Sequence, residues 1–171
     1  MQIIYNTSTV RLEDMPLDVG YCSERVSLSN GVNETFPIGG QNGTTQILIT
    51  APFIDESLLS QIKELDELLS LNALGGITKA LIVASSKHTS PQMEGWMFGI
   101  DSDEAFGDYY GIRLSGDELE GEFAKSLFIL SKDGALFYHE ILPDLSKPFS
   151  LDKALTKIVA AMSCYTGKGC H

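Results

Sequence analysis

The sequence predicts an α/β domain with a mixed central sheet, helices on its faces and a β-hairpin near the N-terminus. Three observations carry that expectation. Two almost unbroken aliphatic runs, "QILIT" at 46–50 and "KALIVAS" at 79–85, have the pattern of strands buried on both faces. Between them Leu58, Ile62, Leu65 and Leu69 recur at helical intervals, while Lys63, Glu64, Asp66 and Glu67 fall on other faces. Strand, helix, strand is a crossover unit, so the two strands should run parallel. Finally, "SLFILSKDGALFYHEIL" at 126–142 sets two apolar runs around Lys132-Asp133-Gly134, where glycine tolerates the positive φ of a hairpin turn.

The remaining elements follow in chain order. Val10, Leu12, Leu17 and Val19 bracket Glu13-Asp14, which predicts a short N-terminal hairpin across that pair. The stretch 27–44, with "SNGVN" and "IGGQNG", reads as connecting loops with little regular structure. Asp55 is placed to cap the first helix through its carboxylate. In "DSDEAFGDYY", Asp101 with Glu104 three residues later resembles a capping box and predicts a shorter helix. Leu151, Ala154, Leu155, Ile158, Val159 and Met162 form the stripe of a last helix behind Ser150, an N-cap candidate after Pro148. Trp96, Met97 and Phe98 stand together in a polar loop; they belong to the core, or, if exposed, to a partner surface.

With 171 residues, 43% of them hydrophobic, the chain suffices for one domain with one core. That domain is expected over 1–163, followed by a cysteine-containing tail, 164–171. A formal net charge of -11 argues against nucleic acid and anionic membrane as partners, because phosphate binding relies on Lys and Arg releasing counterions. The chain has no apolar run of the roughly 18 residues that would span a bilayer, and its start lacks the pattern of a secretory leader. A cytoplasmic protein is expected, and no cofactor is implied.

The βαβ order followed by ββα is that of a thioredoxin-like domain. Beyond it, "ILITAPFID" and "YYGIRLSGDELEGEFAKSLFILSKDGALFYHEIL" resemble the thiol peroxidase branch of the peroxiredoxins, which add an N-terminal hairpin to that fold. With that hairpin and the last helix, the resemblance covers most of residues 9–160. It implies a site of a proline, a threonine or serine four residues on, a peroxidatic cysteine three further, and a distant arginine. Here Pro52 stands at the first position, Glu56 at the hydroxyl, Leu59 at the cysteine and Lys125 at the arginine. The second, resolving cysteine would fall near "MEGWM" at 93–97, where Trp96 stands and there is no thiol.

Peroxide reduction needs a thiolate, its pKa lowered by a helix N-terminus and a nearby cation. Leucine has no lone pair to offer. Glu56 beside Asp55 favours the positive end of the helix dipole but opposes a thiolate next to it. Lys125 keeps a positive charge without the planar fork of arginine. The expectation is a retained scaffold without catalytic residues, serving as a binding or assembly module that pairs with itself or with a peroxiredoxin-like partner.

Other chemistry-bearing residues remain. Cys164 and Cys170 are separated by a segment containing Gly167 and Gly169, flexible enough for a disulfide. The same pair can instead stay as unpaired thiols, or join His171 and one further ligand around a soft metal such as zinc. A haem attachment at the terminal Cys-His is the remaining reading, with wider spacing than usual. These residues supply the alternative function, a thiol–disulfide oxidoreductase or metal-handling protein. Cys22, the third redox candidate, has only Arg25 near it in sequence, and is read as a small buried hydrophobe against a reactive thiol. His88 follows a core strand at the sheet edge where ligands commonly bind, against a solvated loop histidine. His139 is read as a hydrogen-bonded sheet residue.

Overall fold

The computed structural model describes residues 1–163. In chain order these form β1 (Gln2–Tyr5), β2 (Ser8–Leu12), β3 (Val26–Ser29), β4 (Thr35–Ile38), β5 (Gln46–Thr50), α1 (Glu56–Leu71), β6 (Thr78–Val83), β7 (Met97–Ile100), α2 (Ala105–Tyr110), β8 (Leu114–Ser115), β9 (Ser126–Leu130), β10 (Leu136–Ile141) and α3 (Leu151–Ser163). A seven-stranded sheet runs in the order β10-β9-β5-β6-β7-β3-β4, and a three-stranded one in the order β1-β2-β8. As the crossover demands, β5 and β6 are parallel, with Gln46 opposite Thr78 and Thr50 opposite Ile82. β9 and β10 form the expected antiparallel pair, and Gly134 takes a φ of 85° in their turn.

The aliphatic runs are unbroken because each strand feeds two cores. Ile47 and Ile49 of β5, Leu81 of β6, and Leu127 and Ile129 of β9 face α1 and α3. Leu48, Ile82, Phe128 and Leu130, their immediate neighbours, face the opposite core, which holds Phe106, Tyr110 and Phe123. Side chains alternate across a strand, so both faces of a central strand must be apolar when both are covered. In α1 the buried stripe is Leu58, Gln61, Ile62, Leu65 and Leu69. In α3 it is Leu151, Ala154, Ile158 and Ala161, and Val159 lies outside it at 43% exposure, a correction to the expected stripe.

Four expectations are corrected. The N-terminal hairpin joins β1 to β2, with Ile3 opposite Val10, and its turn is at Asn6-Thr7 rather than Glu13-Asp14. The alternation of Val10 and Leu12 is that of a strand, but its partner precedes it; beyond Leu12 the chain bonds elsewhere, Leu17 N–H to the Tyr110 carbonyl and Gly20 N–H to that of Leu136. Residues 27–44 contain most of a second hairpin, β3 with β4. Its turn is closed by Asn30, whose side-chain oxygen accepts from the Val32 and Glu34 N–H groups, so the polar signal marked the turn and hid the short strands. Pro37 lies on β4, the outer edge of the sheet. Met97 and Phe98 begin a strand, β7, parallel to β6, and Trp96 just before it is 9% exposed. Lastly, α2 starts later than a capping box would place it. Glu104 is left-handed and makes no side-chain cap, while the buried Asp101 carboxylate alone accepts from the Phe106 and Gly107 N–H groups, at 3.0 and 2.8 Å.

Candidate functional site

The C-terminal end of β5 leads through the buried Ala51 and Pro52 to the start of α1. Thr50 donates from its hydroxyl to the Ala124 carbonyl at 2.7 Å, tying this strand end to the segment that carries Lys125. Asp55 caps the helix as expected: its carboxylate accepts from the Leu58 N–H at 2.8 Å, and its carbonyl accepts from the Leu59 N–H at 3.1 Å. Glu56 is exposed in the first turn, where its charge complements the dipole. Leu59 is half-buried one residue later than Leu58.

Lys125 is held by the backbone of the loop after β10. It is 6% exposed, its Nζ donates to the Lys147 carbonyl at 2.8 Å, and it lies 5.3 Å from the Phe149 ring centroid. Burial pulls its pKa below the usual lysine value, against the negative charges of Asp55 and Glu140, which raise it. Two further groups hold the same segment. The buried Gln61 accepts from the Phe149 N–H at 2.9 Å, and Glu140 accepts from the Ser150 N–H at 3.0 Å. Lys125, Gln61 and Glu140 therefore pin residues 147–150. Gln61 was missed in the sequence because it occupies an apolar stripe; its signal is a polar residue at the i+3 position from Leu58.

Leu59 opens into a groove of about 640 Å³ shared with Ile62, Asp66, Lys79, Met93 and Glu94. The groove runs from Leu59 on α1 to Met93 and Glu94 in the segment before β7. Neither Glu56 nor Lys125 lines it. Its wall is fixed by Trp96, whose indole N–H donates to both oxygens of Asp66 at 2.9 and 3.1 Å. The Lys79 Nζ meets the same carboxylate at 2.6 Å and stands 5.4 Å above the indole. Trp96 is thus a core residue with a satisfied polar edge.

The other candidates are scattered. Cys22 is exposed, not a buried hydrophobe; it forms an isolated bridge with Ala135, and its carbonyl, not its sulfur, is the Tyr109 acceptor. His88 is not a solvated loop residue. Its side chain is 12% exposed and its Nε2 lies 2.7 Å from the Glu122 carboxylate. His139 is a sheet residue, but its buried Nδ1 has no hydrogen-bond partner, and burial depresses its pKa against the Asp18 charge and the Leu17 backbone. Cys164, Cys170 and His171 lie outside the described residues, as does the 164–171 tail. Glu122 and Asp66 carried no sequence signal, being single acids among many.

No family model matches the chain. It is similar to the thiol peroxidase of Campylobacter jejuni, 25% identical over 98% of this chain and 97% of that one. The thiol peroxidase of Helicobacter pylori is 27% identical, over 84% of this chain and 90% of that one. Among solved structures, a peroxiredoxin-like protein from Aquifex aeolicus superposes with a TM-score of 0.80 at 17% identity, covering 94% of this chain and 97% of that one. Mixed sheet, flanking helices and N-terminal strand pair define a thioredoxin-like domain of the peroxiredoxin kind. Sequence relatives that span almost the whole chain narrow this further: the chain is similar to thiol peroxidases along nearly its entire length. No helix among the described residues is long and apolar enough to cross a membrane.

Proposed function

We propose that this protein has lost peroxidase chemistry and works as a binding or assembly module, pairing with a second copy or with a peroxiredoxin-like partner. The observation that carries the reading is Leu59, a hydrocarbon at the position from which the family's thiolate attacks. Two neighbours support it. The cation at the arginine position, Lys125, is spent on the Lys147 carbonyl, and the helix start is occupied by the Asp55 carboxylate. A bound peroxide would find no donor fork and no nucleophile there. The groove is suited to contact rather than reaction: Leu59, Ile62 and Met93 give it an apolar floor, and Lys63, Asp66 and Glu94 give both signs of charge along it. Such a surface takes an amphipathic segment of a protein partner.

The test is hydroperoxide consumption with a thiol reductant, run beside sedimentation velocity. The expected result is consumption no faster than with reductant alone, together with a dimer or a complex with an active peroxiredoxin. Catalytic turnover would overturn the loss of activity, and a strict monomer that binds no peroxiredoxin would overturn the module. Replacing Cys164 and Cys170 by serine in the same assays separates this reading from thiol–disulfide exchange or metal handling through Cys164, Cys170 and His171.

A further inference from the structure

A second polar cluster sits beyond the C-terminal ends of β6 and β7, away from the groove. Glu122 is 3% exposed, and its carboxylate contacts Lys87 through one oxygen and His88 Nε2 through the other. Its backbone is fixed as well, since the Glu122 carbonyl accepts from the Leu114 N–H at 2.7 Å. Burying a carboxylate is costly unless it is paired, and Lys87 alone already supplies the opposite charge. The imidazole is therefore more than a counter-ion. An ionised carboxylate only accepts, so Nε2 carries the hydrogen of the neutral ring, and Nδ1 is left with a lone pair. No hydrogen bond among the described residues occupies that Nδ1.

His88 lines a cavity of about 290 Å³. One side of it is polar, with Asn30, Ser86 and Ser90; the other is apolar, with Val32, Phe98 and Ile100. An apolar cavity of ~150 Å³ is enough for benzene, so this one has room for a substituted ring. We propose that the cavity binds a small molecule with a hydroxyl donor on an apolar body, phenol-like in chemistry. The hydroxyl donates to Nδ1 of His88, the body lies against Val32, Phe98 and Ile100, and Glu122 is a positioning residue that fixes the ring's tautomer. This site is independent of the groove at Leu59, and it holds whether or not peroxidase chemistry is lost.

The experiment is a titration of the full chain with para-fluorophenol and with para-fluoroanisole, its methyl ether, followed by fluorine NMR and by backbone amide shifts. The phenol should move resonances of residues 30–32, 86–90 and 98–100, and the ether, which has no donor, should bind about tenfold more weakly because it forgoes the hydrogen bond to Nδ1. In His88→Phe the two compounds should bind alike. Nitrogen NMR of the ring at mildly alkaline pH should show Nδ1 without a proton. A phenol that perturbs none of these residues, equal binding of the two compounds to the unaltered chain, or a protonated Nδ1 in the neutral ring would each overturn the proposal. The last two measurements need no variant, so they stand even if His88→Phe fails to fold.

Discussion

Asp66→Ala removes an acceptor on which two groups depend. Trp96, only 9% exposed, loses both contacts from its indole N–H, at 2.9 and 3.1 Å, and Lys79 loses its partner at 2.6 Å. Leaving a buried N–H without an acceptor costs about 1–3 kcal/mol. The Lys79 pair adds less, about 0–1 kcal/mol, because the Asp66 side chain is 32% exposed and solvent screens it. The sum is about 1–4 kcal/mol, or a fall in Tm of roughly 2–16 °C for a chain of this size. Trp96 is the single tryptophan, so its own fluorescence reports the local environment while far-ultraviolet circular dichroism reports global unfolding in urea. Asp66→Asn keeps an acceptor for the indole and loses only the ion pair, so it should cost about 1 kcal/mol or less. If Asp66→Ala lies within about 0.5 kcal/mol of the parent, or if Asn is as damaging as Ala, the buried indole bond does not hold the groove wall.

Three other outcomes are expected. Leu59→Cys should not restore peroxidase turnover, because Lys125 is committed to the Lys147 carbonyl and the Asp55 and Glu56 charges oppose a thiolate; measurable hydroperoxide consumption by that variant would contradict this. With Cys164 and Cys170 replaced by serine, the exposed Cys22 should take up one iodoacetamide adduct as fast in native buffer as in urea, read by intact mass; protection in native buffer would place it back in the interior. Lys125 binds its proton less tightly in the folded chain than in the unfolded one, so the unfolded state holds more protons as pH rises toward 10.5. Its burial cost is present in full at neutral pH and is relieved across that alkaline range. Tyr110 and Tyr138, whose phenols burial pushes above the ordinary tyrosine value, keep their protons longer when folded and act in the opposite sense. The Lys125 contribution is therefore read as the parent minus Lys125→Met: the difference in stability should climb with alkaline pH, and a flat difference would refute it.

The central sheet and its two large helices were legible because burial on both faces leaves a pattern that few alternatives share. Ile47, Leu48 and Ile49 are apolar in succession, so an amphipathic element does not fit them, and α1 shows its stripe against charged neighbours. The peripheral strands were not. β3 buries only Val26 and Leu28 beside a turn rich in Gly and Asn, and β7 is four residues long, so each strand is specified by its neighbours in the sheet rather than by its own period. At the site, the cap of α1 by Asp55 was readable from the carboxylate just ahead of the helical stripe. That Lys125 donates to a backbone carbonyl, and that Gln61 and Glu140 secure the same loop, depends on contacts between segments far apart in the chain, for which a single sequence has no signal.

The two borders of the seven-stranded sheet also govern how the molecule can polymerise. Pro37 deprives the β4 border of one amide hydrogen that a newcomer would need. The β10 border is occupied near its start by residues 20–22 and just past its end by Ile4, whose N–H binds the Pro143 carbonyl. Ribbon-by-ribbon accretion is thus discouraged from either flank. Along these two borders, contact between copies falls to side chains rather than to main-chain pairing.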